Sequence, residues 1–309
     1  MARFFATSIK YDDGEDGFAL RFDDVPVVRA VAQRFIRECT REPEFGEIDG
    51  EQLRAVAKRA GVRIARAGSR GDMDIFQAQS IFRHAVRQYN ISNSWRIDNE
   101  GPAIDAEYAR GASITEISRT HRLSPYAIFK HVIGASGRAK LAQLSTGGTH
   151  AVDVLGARDA EQYLIAQSYD FESVAVQLRM AEAADRREAN FIRILHEDVG
   201  IELRTQEELF EEARKRGVKP ITPDALFTSR VTINGKRAHW IDFKSYCGVD
   251  IPFIARKVEE QSAKYVRAFG PGAIVYEHGY VGTPPYWAVS ARALRDVIDK
   301  GTRAEVLED

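Results

Sequence analysis

The chain has 309 residues, of which 44% are hydrophobic and 29% are charged, a composition typical of globular proteins. Its 44 basic residues nearly balance 45 acidic ones, which excludes a basic protein overall but leaves room for a local basic face. Two cysteines, Cys39 and Cys247, are too few for a disulfide framework or a cysteine-rich zinc site, and they fit a reducing compartment.

The first residues, MARFFATSIKYDDGEDG, become acidic too soon for a signal peptide. No apolar run in the sequence approaches the length of a membrane span. We therefore expect an intracellular protein without membrane contact, located in the nucleus, the cytoplasm or both.

Apolar residues follow a helical period from about residue 24 to about residue 180. Beyond residue 180 one long helical pattern is followed by short β-branched runs that single helices separate. The sequence therefore predicts two parts, an all-α helical region at 1–180 and an α/β domain at 181–309.

Residues 109–134 carry the pattern of a helix-turn-helix within the first part. Ile114, Ile117 and Leu123 would form the inner face of a short helix and its turn. Ser124 is a good N-cap for a second helix, and Pro125 suits its first position. The second helix of such a unit can lie in a major groove of DNA.

Basic residues concentrate around this unit. Between residues 108 and 140 there are six lysines and arginines against one acid, Glu116, which gives a formal charge of +5. Phosphate contacts need such a patch. The candidate nucleic-acid contacts are Arg119, Arg122, Tyr126, Lys130, Arg138 and Lys140. The alternative is a helical hairpin in a bundle with a solvated basic face.

Residues 221–246, ITPDALFTSRVTINGKRAHWIDFKSY, read as two strands around a turn. Asn234-Gly235 suits a two-residue turn that pairs Ile233 with Lys236, a register that separates Asp224 from the other charged residues at the strand ends. A three-residue loop with a glycine bulge instead gathers the apolar residues on one face. Hydrophobic pairing favours this second register.

In the favoured register the other face holds Asp224, Asp242 and Lys244 together. Two converging carboxylates repel each other unless a cation lies between them, and Mg²⁺ (or Mn²⁺) is held by such groups together with water. A neighbouring lysine can activate the attacking water or stabilise the reacting phosphate. These are the parts needed for phosphodiester hydrolysis. The alternative is a structural ion pair between Asp224 and Lys244.

The order helix, three strands, helix, strand from residue 188 onward resembles the αβββαβ core of the restriction-endonuclease-like PD-(D/E)xK superfamily. Pro223-Asp224 corresponds to its first motif, and Asp242-Phe243-Lys244 to its second, with aspartate where glutamate is frequent. Gln261 and Tyr265 resemble the QxxxY element of several of these nucleases. TPD at 222–224, HWIDFK and FGPGAIVYEHGYVG at 269–282 resemble, more narrowly, the codanin-interacting nuclease family, also called the TPD-motif family.

The resemblance implies a nuclease domain preceded by a helical half with a helix-turn-helix, and a codanin-like protein partner. It implies metal ligation by Asp224, Asp242 and the backbone carbonyl of Phe243, and water activation by Lys244. Gln261 and Tyr265 would orient the scissile strand or the metal-bound water. Glu188 would assist from the first helix, with Glu197 as its competitor.

We therefore expect a Mg²⁺-dependent enzyme that hydrolyses DNA phosphodiesters. One alternative is a catalytically weak or inactive nuclease fold that serves as a scaffold for a codanin-like partner. Another is a dimeric resolvase that acts on DNA junctions.

Overall fold

The computed structural model describes residues 5–10, 15–23, 25–65, 72–134, 139, 141 and 151–299. Two of the predicted nucleic-acid contacts, Arg138 and Lys140, lie outside these residues. Among the described helices, none combines the length and the apolar character needed to cross a bilayer.

The described residues contain eleven α-helices. They are α1 Arg29–Arg41, α2 Gly50–Arg59, α3 Ile75–Asn93, α4 Arg96–Ala109, α5 Ile114–His121, α6 Pro125–Val132, α7 Ala151–Leu155, α8 Ala157–Tyr169, α9 Val174–Arg193, α10 Gln206–Lys215 and α11 Pro252–Phe269. A π-helical turn, Ile194–Asp198, extends α9.

The same residues contain seven β-strands. They are β1 Ala6–Lys10, β2 Asp16–Leu20, β3 Leu203–Thr205, β4 Ala225–Ile233, β5 Lys236–Lys244, β6 Ala273–Tyr276 and β7 Ala288–Ser290.

All seven strands belong to one mixed sheet. Its order is β1-β2-β4-β5-β6-β7, with β3 paired to β4 outside this path. The neighbours β1–β2, β3–β4 and β4–β5 are antiparallel, whereas β2–β4, β5–β6 and β6–β7 are parallel. The predicted α/β class is therefore confirmed, while the assignment to the restriction-endonuclease core stays a prediction.

The N-terminal hairpin β1–β2 corrects the all-α character predicted for residues 1–180. Its second strand runs parallel to β4, from Gly17 opposite Arg230 to Leu20 opposite Ile233. Both strands are only five residues long, and their apolar alternation is weak, so the sequence alone gave them no clear signal. Helix α10, between β3 and β4, was likewise not predicted.

The chain forms two compact units that are discontinuous in sequence. The first contains residues 1–33, 63–81 and 182–309, and the second contains residues 34–62 and 82–181. The predicted boundary at residue 180 lies next to the last change between the units, at residues 181 and 182.

In the first unit, β5 has helices on both of its faces. Phe243 stacks on Phe191 of α9 with ring centroids 4.7 Å apart. Trp240 contacts Tyr265 of α11 edge to face, with centroids 5.1 Å apart. Because alternate residues of a strand point to opposite faces, Asp242 and Lys244 lie on the α11 side with Trp240.

The second unit has its own core around α6. Buried residues of α4, α5, α6 and α8 form it, and they include Ile104, Ile117, Phe129 and Ala166. Helices α5 and α6 are the two short helices predicted at 109–134. Ser124 caps α6 by accepting a hydrogen bond from the Ala127 amide at 3.1 Å, and Pro125 occupies the first position as predicted.

Candidate functional site at the end of strand β5

The turn between β4 and β5 contains two residues, not three. Ile233 pairs with Lys236, and Asn234 and Gly235 have φ angles of +48° and +78°. Positive φ at both central residues is the signature of a type I′ turn. The three-residue loop favoured by hydrophobic pairing is therefore wrong.

A bulge in β4 nevertheless brings the predicted charges together. The register shifts between Leu226 and Val231, so that residues 227–230 lie opposite the single residue His239. The amides of Thr228 and Ser229 donate to the Glu202 carbonyl at 3.0 and 3.2 Å, which holds the bulge in place.

Beyond the bulge, Ala225 pairs with Ile241, and this pairing places Asp224 at the level of Asp242. The Phe243 amide donates to Asp224 Oδ2 at 2.6 Å. Bulges often redirect a side chain next to a functional site. The carboxylates thus converge as expected, but the bulge rather than the turn is the cause.

Asp242 is the centre of the cluster and is fully buried. Its Oδ2 accepts a hydrogen bond from Gln261 Nε2 at 3.0 Å. Its Oδ1 forms an ion pair with Lys244 Nζ and has no conventional hydrogen bond from the described residues. Asp224 is 4% exposed, so the side chains of both aspartates are almost completely shielded from solvent.

Helix α11 connects this cluster to the TPD segment. Gln261 Nε2 also donates to the Tyr265 hydroxyl at 2.8 Å, and that hydroxyl donates to the Thr222 carbonyl at 2.9 Å. Gln261 and Tyr265 are four residues apart and therefore share a helix face. The two residues predicted from the QxxxY pattern both lie at the site.

Glu188 of α9 belongs to the same electrostatic cluster. Burial raises its pKa to about 7, against the opposing effect of Lys244 and with a further contribution from Asp242. Its competitor Glu197 is 63% exposed and pairs with Arg193 at 3.5 Å. Of the two candidates, the structure brings only Glu188 near the aspartates and the lysine.

The remaining charges of the site depend on one another. Burial, followed by the nearby charge of Asp242, raises the pKa of Asp224. Burial also raises the pKa of Asp242, although the Lys244 charge opposes the shift. Burial disfavours the charged form of Lys244, but the two aspartates outweigh it and raise the pKa of the ammonium above its ordinary value.

The donor set suits a hard cation that takes oxygen ligands. Asp224 and Asp242 offer carboxylate oxygens, and the Phe243 carbonyl is the third predicted donor. Within the described residues, no three or more histidine, cysteine, aspartate or glutamate side chains converge as a metal site would require. A metal ion here would complete its coordination with water or substrate oxygens, as Mg²⁺ commonly does.

Glu277 is a neighbouring acid that sequence reasoning missed. It follows the wholly buried strand β6, and its amide donates to the Lys244 carbonyl at 2.9 Å. Its fully buried carboxylate lies 3.7 Å from Arg187 Nε, which also bonds Asp299 at 3.3 Å. Burial raises the Glu277 pKa to about 7. An acid directly after an all-apolar strand was the available signal, but its partner precedes it by 90 residues.

Four of the predicted nucleic-acid contacts, Arg119, Arg122, Tyr126 and Lys130, lie among the described residues of the second unit. Arg119 and Arg122 are exposed and line a cleft that also contains Glu42 and Glu44, so its charge is mixed. Lys130 is half-buried, with its Nζ 4.8 Å from the centre of the Tyr126 ring.

Helix α6 is covered by its own unit. None of its eight residues is exposed, and Tyr126 has only 8% of its surface accessible to solvent. The buried Asp170 accepts hydrogen bonds from the Ser124 hydroxyl and from the Tyr126 amide, the latter at 3.0 Å. A recognition helix presents its N-terminal residues to the bases. Here Asp170 binds that end of the helix, and the Tyr126 side chain packs in the core of the unit, so it offers almost no surface to a nucleic acid.

One comparison with known protein families gives a match that includes the residues of the site. The family model described as a protein of unknown function with a TPD sequence motif matches residues 159–286. An uncharacterized protein of Acanthamoeba polyphaga mimivirus is 33% identical over 94 residues, which are 29% of this chain. The chain thus spans about a third (31%) of that viral protein's length. No solved structure gives a significant match.

The family match supports the TPD-motif resemblance. It includes Thr222-Pro223-Asp224, the complete hairpin and helix α11. The description of the family carries no function, so membership in the nuclease superfamily stays a prediction.

Proposed function

We propose that the protein is a Mg²⁺-dependent enzyme that hydrolyses DNA phosphodiesters at the end of β5. The observation that carries this proposal is the fully buried Asp242, which binds Lys244 through one oxygen and Gln261 through the other. Asp224 and Glu188 place two more acids beside the same lysine. Burying charge is costly unless it is compensated, and a structural ion pair would need only one acid.

Asp224, Asp242 and the Phe243 carbonyl would hold the metal ion. When bound, Mg²⁺ would polarise the scissile phosphate and neutralise the charge that develops on it. The bond from the Phe243 amide orients the Asp224 carboxylate. The bond from Gln261 orients Asp242, and Tyr265 fixes Gln261 against the Thr222 carbonyl.

Lys244 would act on the phosphate as a cation. Its neighbouring aspartates raise its pKa, so the ammonium keeps its proton at neutral pH. A fixed ammonium in a recessed site stabilises developing negative charge more strongly than the same group does in water. This favours electrostatic stabilisation and orientation of water over deprotonation by Lys244. Glu188 would assist from α9.

Calorimetric titration and cleavage assays test the proposal together. Mg²⁺ and Mn²⁺ would be titrated into the wild type, Asp224→Asn and Asp242→Asn. Cleavage of single-stranded, branched and duplex DNA would be followed for these proteins and for Lys244→Met. We expect metal binding to weaken in both variants and cleavage to fall by about a hundredfold or more in Asp242→Asn and Lys244→Met.

Asp198→Asn is the matched control, because this aspartate of the same unit is 44% exposed and pairs with Arg193. It should bind metal and cleave DNA like the wild type. The proposal would be contradicted if the Asp224→Asn and Asp242→Asn variants bound the metal as tightly as the wild type and if no protein cleaved DNA. The charges would then form a structural network, and a scaffold for a protein partner would become the better hypothesis.

A further inference from the structure

A group of four tyrosines lies beside Lys244 on the side of the sheet that faces α11. Tyr276 of β6 is the register partner of Lys244, so the two side chains share one face of the parallel pair. The others, Tyr246, Tyr280 and Tyr286, pack in the same cluster. The proposed mechanism uses none of them.

The cluster has an inner and an outer layer. Tyr276 and Tyr280 are 1% and 5% exposed, which suits core residues. Tyr246 and Tyr286 are only half-buried. Tyr246 packs on the Tyr276 ring with centroids 5.8 Å apart, and the Tyr286 hydroxyl is hydrogen-bonded to that of Tyr276 at 2.7 Å. Two partly accessible rings are therefore held next to the lysine.

Short, constrained segments fix both outer rings. A Cβ at Gly248 would come within 2.6 Å of the Tyr276 ring, so the backbone just after Tyr246 lies directly against that ring. Pro284 and Pro285 immediately precede Tyr286 and restrict its backbone. Rings that are already ordered lose little conformational entropy when a ligand stacks on them.

The charge around the outer rings is mixed: Lys244 lies near both rings, Asp242 lies near Tyr246, and Glu259 and Asp250 lie near Tyr286. Lys244 is 17% exposed, and Lys257 of α11 is exposed four residues before Gln261, on the same helix face. Burial raises the pKa of Tyr246 to about 12, so its ring is neutral at physiological pH. Neutral aromatic faces beside cations are the combination with which proteins bind unpaired nucleotides, through stacking and phosphate contacts.

We propose that Tyr246 and Tyr286 form a stacking subsite for an unpaired nucleotide whose phosphate reaches Lys244. The site would therefore act on single-stranded nucleic acid or on the unpaired strand of a branched one. In a duplex the bases are already stacked on each other, and presenting one to the subsite would require unpairing. This inference rests on the proposed function, because it assigns the substrate class of the same site.

Binding without cleavage tests the subsite. A fluorescein-labelled oligothymidine strand and a duplex of equal length would be titrated, in metal-free buffer with EDTA, against the full-length protein while anisotropy is measured. The variants are Tyr246→Leu, Tyr286→Leu and the corresponding phenylalanine variants. The control is Phe210→Leu, which changes a 49% exposed ring on the acidic helix α10.

We expect the wild type to prefer the single strand. Each leucine variant should bind it about five- to a hundredfold more weakly, as loss of one stacked base predicts. The phenylalanine variants and Phe210→Leu should bind within about twofold of the wild type, because they keep both rings of the subsite. Equal affinity for strand and duplex, unchanged binding by folded leucine variants, or no binding at all would overturn the subsite.

A second measurement needs no variant and covers the case in which a leucine substitution unfolds the protein. An oligonucleotide of abasic units keeps every phosphate but offers no base. The wild type should bind it at least about fivefold more weakly than oligothymidine. Equal affinity would overturn the subsite. Cleavage with Mg²⁺ is scored separately, so a stacking subsite without hydrolysis would refute the nuclease alone.

Discussion

The end of β5 and the predicted helix-turn-helix formed by α5 and α6 are both rich in charged residues, but the charged side chains of the two regions differ in burial. At the end of β5, Asp224 and Asp242 are buried and Lys244 nearly so, and each has a defined partner. At the helix-turn-helix, Arg119 and Arg122 remain exposed. No residue of α6, the second helix of that predicted unit, is exposed.

The difference shows that the positions of buried charges can be predicted from a sequence more reliably than those of surface charges. A charge inside the protein costs free energy unless its neighbours compensate, so its position is tightly constrained. A charge on the surface is hydrated almost wherever it lies, and its contribution to stability is small. Substitutions should therefore have large effects at the first region and small effects at the second.

The largest expected effect is that of Lys244→Met. It leaves Asp242 buried without its cation, which should lower the free energy of unfolding by about 3–5 kcal/mol. The double variant Lys244→Met/Asp242→Asn should recover much of this loss, because the acid that pairs directly with Lys244 is then neutral. Urea denaturation without metal would measure both, with the exposed Lys215→Met as control, expected within about 0.5 kcal/mol of the wild type. If Lys244→Met and Lys215→Met lowered the free energy of unfolding by similar amounts, the expected difference between buried and exposed charges would be contradicted.

Glu277→Gln should change how stability depends on pH. Burial raises the Glu277 pKa from an ordinary 4.5 to about 7, so between these values the folded protein keeps a proton that the unfolded chain releases. The wild type therefore loses stability as the pH rises through this window, by about 3 kcal/mol for this group. Glutamine should remove the contribution of Glu277 to this slope, while Glu188, whose pKa burial also raises to about 7, should keep its own.

Chemical denaturation at several pH values from 4.5 to 8 would measure the slope. Glu259→Gln on the exposed face of α11 is the control and should keep the pH dependence of the wild type. A slope that persists unchanged in Glu277→Gln would place the proton on another group.

Much of the candidate site could be predicted because its residues are carried by short motifs on regular elements. Asp242 and Lys244 alternate along one strand, which periodicity shows, whereas Gln261 and Tyr265 follow from the resemblance to the QxxxY element and share one helix face. Periodicity could not predict the role of Glu277, because its ion pair with Arg187 forms only when α9 packs against the sheet.

In the second unit, too, local structure could be predicted from the sequence whereas long-range contacts could not. The bounds and caps of α5 and α6 follow from local residues such as Ser124 and Pro125, and these were predicted. The burial of α6 depends on its packing against α4, α5 and α8, and its first residues are bound by Asp170, 44 residues after Tyr126 in the chain. A pattern of charge and capping cannot report such a contact.

Asp170→Ala tests the covered end of α6. The carboxylate binds the Ser124 hydroxyl and the Tyr126 amide, so its removal should cost about 1–2 kcal/mol of stability, as loss of a helix cap does. Arg119→Gln, on the exposed end of α5, should change stability by less than about 0.5 kcal/mol. Thermal unfolding of both variants would compare them, and a larger loss for Arg119→Gln would contradict the assignment of the covered and open surfaces.

Gly235→Ala has the smallest expected effect and separates the turn from the bulge. Gly235 has a φ of +78° with open space around its missing Cβ, so alanine should cost only about 1 kcal/mol. Gly217→Ala, at a φ of +65° outside the hairpin and equally open, should cost a similar amount. If the bulge at 227–230 sets the register, binding of Mg²⁺ or Mn²⁺ should be unchanged in Gly235→Ala. Metal binding that weakens in Gly235→Ala but not in Gly217→Ala would show that the turn, rather than the bulge, brings Asp224 to Asp242.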